Sequence, residues 1–427
     1  ARTRVHDERN EIAPLLRDLH LTMVQSCGGD GTQMIQVEDK LYFYFICWLR
    51  DHTHTMKGMK YFYPEVKTGF ELYADTQRAD GMVYDRIRMK ESDVQGWRDH
   101  TFREGDFVTT LYSQPGGKGI PYTLQRIPVE NDVEWLFLEC LYFTWKATGD
   151  TQWMAQYLDR AKLAVRYATS DPYRWSDRFG LLKRGYTIDT WDFMHKDDCA
   201  LTLGDNVCDL RKTAFGAMFG DNTGMAVGCR FLAEMLRAAD RAPEAPAYEE
   251  LADTLMKRLE EVSWNGSFFR HHVSEDPSFK RDVGSTDESA QITLSNAYSV
   301  NREIGLEKAR AIIHTYRELR ERMPENSPGE FYNCYPPFEK GFGKQDGMWQ
   351  YMNGGVSSIV AGELARGAFH YGEEAYGVDI LRRMKRLADR HEGHLHVCFN
   401  GNPETTPPER TLVPLDLADS ANLTPEH

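Results

Sequence analysis

The stretch from Ile127 to Asp150, IPVENDVEWLFLECLYFTWKATGD, narrows what this chain can fold into more than any other. Val133, Leu136, Phe137, Cys140, Leu141 and Trp145 recur at steps of three and four, while Trp135, Leu138, Tyr142 and Phe143 cover much of the remaining circumference. A helix that is apolar on nearly every side has no face suited to water, so this pattern predicts a helix enclosed by others. Thr148-Gly149-Asp150 closes it, the glycine supplying a left-handed residue. At its entrance Pro128 fixes the approach and Glu130, Asn131 and Asp132 follow. One of these can cap the free N–H groups while another points into whatever cavity the helix borders.

The rest of the chain is long enough to build that enclosure. Its 427 residues, 41% hydrophobic and 12% aromatic, suffice for one large domain or two ordinary ones. A net charge of −14 without clustered Lys and Arg argues against nucleic acid as a partner. The longest apolar run, Leu41 to Leu49, is far shorter than the ~20 residues needed to cross a bilayer, so no membrane span is expected. The chain starts at Ala1, and its lack of a leader therefore says little about export. Eight cysteines without a C-x-x-C pair, three of them inside apolar runs, read as buried thiols and favour a reducing, cytoplasmic setting.

Helix follows helix along the sequence. Glu11–Val24 is amphipathic, and Gln33–Glu38 is a short extended piece. Leu41–Phe62 begins strongly apolar and resumes helical spacing after Arg50 and Asp51, and Thr68–Gln77 makes a further helix. Tyr84–Thr123 is polar and glycine-containing, an expected long loop over an opening. Trp153–Ala168 should pair with the central helix, Asp221–Ala239 repeats its apolar character, and Tyr248–Val262 is an amphipathic partner. Ala290–Arg302 with Glu307–Arg320, and Gly355–His370 with Ala375–Arg390, form further pairs. Alternation of apolar and amphipathic helices predicts an all-α fold, an inner ring covered by an outer one, with long loops gathered at one end. We expect one domain over residues 1–403 and a Pro-rich, acidic tail over 404–427.

Several motifs, in order, carry a resemblance covering about Glu38 to Gly401. Trp48-Leu49-Arg50-Asp51 resembles the W-L-R-D of exo-α-1,6-mannosidases and the R-D of neutral/alkaline invertases. Pro128-Val129-Glu130-Asn131-Asp132, with Trp135 and Ala147-Thr148-Gly149-Asp150, is similar to the invertases' P-V-D-S-G…W…T-G-D. Gly329-Glu330 with Cys334-Tyr335-Pro336 and Glu339 resembles their G-E-M…C-Y-P…E, and Trp349 to Gly355 resembles their W-S-Y-H-N-G-G, with Asn353 at the N. The chain departs from them in placing Glu130 for an aspartate, Asn131-Asp132 for S-G, and Val356-Ser357-Ser358 for S-W-P. The resemblance is to the six-hairpin glycosidase superfamily. It implies an (α/α)6 barrel and hydrolysis of a glycoside with inversion, with Glu130 as proton donor and Glu330 as the second carboxylate. Gly185–Phe193 is similar to the G-W-D-F of trehalases, which makes Asp192 a rival acid beside Asp132.

Glycoside hydrolysis asks for residues of this kind, one carboxyl held protonated and one carboxylate acting on water or on the sugar carbon. Arg50 and Asp51 suit a clamp on sugar hydroxyls. Trp48, Trp191 and Trp349 stand beside acids as stacking surfaces, and Asp189, Tyr335 and Asn353 complete the expected carbohydrate-binding set. His52-Thr-His54 and His394-Leu-His396 lack zinc-type companions, so no metal or cofactor is expected. Two other classes fit the same barrel: an epimerase working through His394 and His396, and a carbohydrate-binding protein without catalysis.

Overall fold

We describe a computed structural model at residues 7–26, 33–45, 48–88, 108–114, 116, 118–188, 210–323, 327, 329–341, 347–393, 395–396 and 398–403. The expected tail over 404–427 lies outside these residues. The helices are α1 (Ala13–Ser26), α2 (Leu49–Met59), α3 (Lys67–Asp75), α4 (Val133–Thr148), α5 (Thr151–Ala155), α6 (Leu158–Ser170), α7 (Phe219–Ala238), α8 (Ala245–Ser263), α9 (Ser295–Val300), α10 (Leu306–Glu321), α11 (Ser358–His370) and α12 (Glu374–Arg390). None of the described helices is long and apolar enough to cross a membrane.

The central helix is α4, where every residue from Val133 to Leu141 is buried, Glu134 and Glu139 included. It stops where expected: Gly149 turns left-handed at φ 67° and its N–H bonds the Trp145 carbonyl at 2.7 Å. Asp150 then caps α5 by accepting from the Trp153 N–H at 2.9 Å.

Two cavities show which helices face inward. One is lined by Arg50 and His54 of α2, Trp135 of α4, Asp221 of α7 and Tyr298 of α9. The other is lined by Lys57 of α2, Glu139 of α4, Val227 of α7, Tyr298 of α9 and Glu363 of α11. From Arg50 to Lys57, Asp132 to Glu139 and Gly220 to Val227 the step is the same: two helical turns, roughly 10 Å along the axis. The helices α2, α4 and α7 therefore run side by side in one direction, their N-termini around the first cavity and their later turns around the second.

The outer layer covers this ring. α6 packs on α4 and α7, α8 on α7, α10 on α9 and α11, and α12 on α11. The outer helices bury one stripe each, Ala252, Leu255 and Leu259 in α8, and Ile380, Met384 and Leu387 in α12. Where α4 and α7 cross, Gly224 lets the backbone lie against Trp135, since a Cβ there would sit 2.4 Å from the indole.

Strands collect at the N-terminal ends of the inner helices. β1 (Gln33–Val37) and β2 (Lys40–Tyr44) form a hairpin before α2. β3 (Arg86–Arg88), β4 (Val108–Gln114) and β5 (Lys118–Gln125) make an antiparallel sheet in the order β3-β5-β4 ahead of α4. β6 (Trp175–Ser176), β7 (Leu181–Arg184), β8 (Gly216–Met218) and β9 (His272–Ser274) form a second sheet, with β8 running straight into α7. β10 (Ile292–Thr293) pairs with β11 (Cys334–Tyr335), and β12 (Val356–Ser357) with β13 (Cys398–Phe399).

Four expectations shift accordingly. The region Tyr84–Thr123 holds strands β3 to β5 where a loop was expected. The apolar opening of Leu41–Phe62 is strand β2, and the helix waits until Leu49. Ala290–Arg302 yields only the short α9, because Ile292 and Thr293 are drawn into pairing with Tyr335 and Cys334. Trp153–Ala168 breaks near Tyr157 into α5 and α6.

Candidate active site

The chain enters α4 through a segment locked on both sides. Asn131 donates to the carbonyls of Arg174 and Lys183 at 3.0 and 2.9 Å. Arg126, fully buried, pairs with Glu134 at 2.9 and 3.0 Å and donates to the Glu130 carbonyl at 2.9 Å. Asp132 stands at the N-cap position of α4 yet makes no capping bond with its side chain. The capping role weighed for this acid is therefore not the one it plays, and its carboxylate is turned to Arg50.

Arg50, in the first turn of α2, bridges two acids. Its Nε donates to Asp132 Oδ2 at 2.7 Å, and its Nη2 touches both Asp132 and Glu130. Arg184, from β7, donates through Nη1 to Glu130 Oε2 at 3.0 Å, and its Nε lies 3.5 Å from Asp221 Oδ2. Asp221 is the third residue of α7, 1% exposed, and neither of its oxygens accepts a hydrogen bond among the described residues. Asp132, Asp221, Arg50, Trp135, Tyr298 and Arg302 line one cavity. A neighbouring one is lined by Trp48, Arg50, Asp85, Glu130 and Asp132.

Burial and charge push these acids apart. Burial drives Glu130 well above the ordinary carboxylate range; Asp132 adds to this as a like charge, while Arg50 and Arg184 oppose it. Burial would raise Asp132 too, but Arg50, Arg184 and the hydrogen bond from protonated Glu130 hold it below its usual value. The two carboxyls are thus pulled apart in proton affinity, Glu130 holding its proton the more tightly. Burial pushes Asp221 up to about 6, and Asp85 likewise to about 6. His54 lines the same cavity, and burial, helped by Lys57 and by Arg302, keeps its imidazole neutral.

The remaining expected residues fall in several places. Trp48 borders the neighbouring cavity that Glu130 lines, one face covered by the Arg86 guanidinium at 4.4 Å. Asp51 sits half-buried in the first turn of α2 and is not among the residues lining either cavity. Glu330 is fully buried but lines neither. Arg383 grips its two oxygens at 2.7 and 3.0 Å, and the Tyr376 hydroxyl donates to it as well. Tyr335 stacks on Tyr332 at 4.8 Å, and Trp349 lies 6.2 Å from it with a left-handed backbone, φ 69°. Asn353 uses its amide to hold the Phe338 backbone, accepting at 2.7 Å and donating at 3.0 Å. Asp189, Trp191 and Asp192 lie outside the described residues, as does His394, while His396 packs edge-on to His391 and Phe399. Asp221, Arg184 and Arg302 were not singled out from sequence. The available signal was Phe219-Gly220-Asp221, an acid opening the second all-apolar helix as Asp132 opens the first.

No family model matches the chain, and no curated protein matches it by sequence. Solved structures do match in fold. The GH63 mannosylglycerate hydrolase from Thermus thermophilus, in complex with Tris and D-glycerate, superposes with a TM-score of 0.60 at 14% identity, over 96% of this chain and 99% of that one. A rhamnosidase from Klebsiella oxytoca with rhamnose bound gives 0.57 at 12% identity, over 99% of this chain and 64% of the other. The GH78 rhamnosidase of Bacillus sp. GL1 gives 0.55 at 12% identity, over 99% of this chain and 35% of that one. The chain therefore shares its fold with these solved structures, which are (α/α)6-barrel glycosidases.

Proposed function

We propose that this protein is a glycoside hydrolase in which the Glu130–Asp132 pair supplies the proton and Asp221 acts as base. The observation that carries the reading is the cavity at the N-terminal end of the inner helices, where Asp132 and Asp221, the latter accepting no hydrogen bond among the described residues, meet beside Arg50, while Glu130 reaches the same arginine from the neighbouring cavity. Cleavage of a glycosidic bond needs a carboxyl still protonated near neutral pH to release the leaving oxygen, and burial shifts Glu130 in that direction. It needs a second carboxylate ionised at the same pH, and Asp221, at about 6, meets that condition. The solved structures with this fold include enzymes named for hydrolysing mannosylglycerate and rhamnosides, which supports a carbohydrate substrate. Glu330, the second carboxylate implied by the sequence resemblance, is engaged by Arg383 and Tyr376, so we place Asp221 ahead of it. The resemblance also implies inversion, with the base acting on water. An epimerase would call for two histidines, and His54 is the only one lining this cavity among the described residues.

The test is a panel of nitrophenyl and natural glycosides assayed with wild type, Glu130→Gln, Asp132→Asn, Asp221→Asn and Glu330→Gln. Loss of one acid or base function lowers turnover by roughly 10²–10⁴. A dinitrophenyl leaving group should restore much of the rate to the Glu130 and Asp132 variants, because it departs without a proton, and none to Asp221→Asn. If all four variants turn over like wild type, the carboxylate mechanism is wrong. If Glu330→Gln alone is dead, Asp221 loses its assignment.

A further inference from the structure

We infer that the substrate of this site carries a carboxylate, seated on Arg302; the inference rests on the glycosidase reading above. Arg302 lies two residues beyond α9, is 6% exposed, and lines the same cavity as Asp132 and Asp221. Its Nη1 donates to the Gly220 carbonyl at 3.0 Å and to the Thr223 hydroxyl at 3.1 Å. The guanidinium packs 4.4 Å from the Trp135 ring centre and 5.4 Å from that of Tyr298. These contacts fix where the group sits, and none of them brings a negative charge.

The other arginines of the site have one. Arg50 pairs with Glu130 and Asp132, Arg126 with Glu134, and Arg184 with Glu130 and Asp221. Arg302 makes no ion pair with any described residue, and its Nε and Nη2 groups donate to none. Asp221 feels its field across the cavity but is itself beside Arg184. Removing a guanidinium from water without a partner is unfavourable, and an anion arriving in the cavity supplies the missing charge. A sugar hydroxyl could accept from Arg302 but would leave the charge unbalanced.

The chemistry of the remaining wall narrows the anion. The fork of a guanidinium matches the planar carboxylate through two parallel bonds. Asp132 and Asp221 share the cavity, so a single negative charge is repelled less than a dianionic phosphate would be. Two substrates present that group: a uronosyl sugar, with the carboxylate on the ring, and a glycoside whose leaving group is a hydroxy acid.

Matched pairs separate these sources. In the sugar arm, nitrophenyl glucuronides and galacturonides are compared with glucosides and galactosides. In the leaving-group arm, glycosides of lactate are compared with those of propanediol. Wild type should prefer the acidic member of at least one arm by about 10- to 100-fold in kcat/KM, the range expected for hydrogen bonds to a charged group. Arg302→Met, which keeps a stem against Trp135, should remove that preference, and Arg302→Lys should retain part of it through charge alone. If Arg302→Met does not fold, as read by its melting curve, Arg302→Lys carries the comparison. Equal or higher kcat/KM for the neutral members in both arms overturns the inference, as does an acid preference that survives Arg302→Met. If no glycoside of either kind is cleaved, the hydrolase reading fails separately. The charge is then read by calorimetric titration of glucuronate, lactate and glucose: an acid that binds wild type more tightly than it binds Arg302→Met, and more tightly than glucose binds, supports the seat on Arg302. Indifference between them overturns it.

Discussion

Replacing Asp221 with Asn should make the protein more stable and less active at once. The carboxyl is buried at 1% exposure, and its pKa is pushed from 3.8 to about 6 by that burial. A shift of about 2 units corresponds to about 3 kcal/mol by which folding disfavours the ionised form, at 1.36 kcal/mol per unit. The sign follows from proton counting. Between about pH 4 and 6 the folded state holds a proton that the unfolded state has released, so stability falls as pH rises through that window and stays reduced above it. Asn is neutral throughout. In urea denaturation at pH 7.5, Asp221→Asn should exceed wild type by about 1–3 kcal/mol, the upper figure applying if the amide fits the carboxylate's place without strain. At pH 4.5 the folded wild type is protonated but the unfolded chain, with its carboxyl at the ordinary 3.8, is still largely ionised, so the gap should narrow to roughly a third of its size at pH 7.5 and close only below about pH 3.8. Asp85, with the same shift, is present in both proteins and cancels from the comparison. Turnover at pH 7.5 should meanwhile fall by roughly 10²–10⁴. A variant less stable than wild type at pH 7.5 by more than about 1 kcal/mol would refute this reasoning, since Asp221 would then serve chiefly as the ion-pair partner of Arg184.

Glu330→Gln should behave in the opposite way, losing about 3–5 kcal/mol of stability because Arg383 is left buried without its carboxylate, while turnover per folded molecule stays within tenfold of wild type in a titrated assay. The profile of kcat/KM against pH should rise through about 6 as Asp221 ionises and fall at higher pH as the Glu130–Asp132 pair gives up its proton. A pH-independent rate between 5 and 7 would contradict it. Gly224→Ala should destabilise by about 1–3 kcal/mol and impair activity, because its methyl meets the Trp135 indole at 2.4 Å and that indole lines the cavity; an unchanged urea midpoint would count against so tight a crossing. Proton NMR of the first-formed sugar should show the anomer opposite to that of the substrate, and retention would point to a covalent intermediate instead.

The helices were legible because their periodicity is strong. Val133–Thr148 was expected almost to the residue, since no register of that stretch offers water a polar face, and the Gly149 stop left little freedom at its end. Of the strands before the helices only β1 was, as the extended piece Gln33–Glu38. β8, β10 and β12 have two or three residues each, too few to show alternation, and they exist only because distant segments such as Cys334–Tyr335 meet them. Half of the site shared that limit. Glu130 and Asp132 stood out through their place before the central helix. Asp221 looked like an ordinary first-turn acid, favoured there by the helix dipole alone, and only the burial of both its oxygens marks it as something else. Glu330 shows the converse. Its motif drew attention, yet its environment is that of a structural ion pair, which depends on Arg383, 53 residues away.

The common direction of α2, α4 and α7 has a consequence for the sign of the field at the mouth of the first cavity. Aligned peptide dipoles turn their positive ends toward the first cavity, so the bare scaffold favours anions there. Departure of an alkoxide suits such a mouth, whereas a sugar ring gaining oxocarbenium character does not. On the proposed reading the acids at the starts of α4 and α7 therefore have two jobs: besides handling protons, they reverse an electrostatic bias that the architecture imposes. A version of this barrel stripped of Asp132 and Asp221 would not be an inert cup. With Arg50, Arg184 and Arg302 retained, it should become a trap for anions, and a short series of substitutions could turn a hydrolase of this shape into a receptor for small acids.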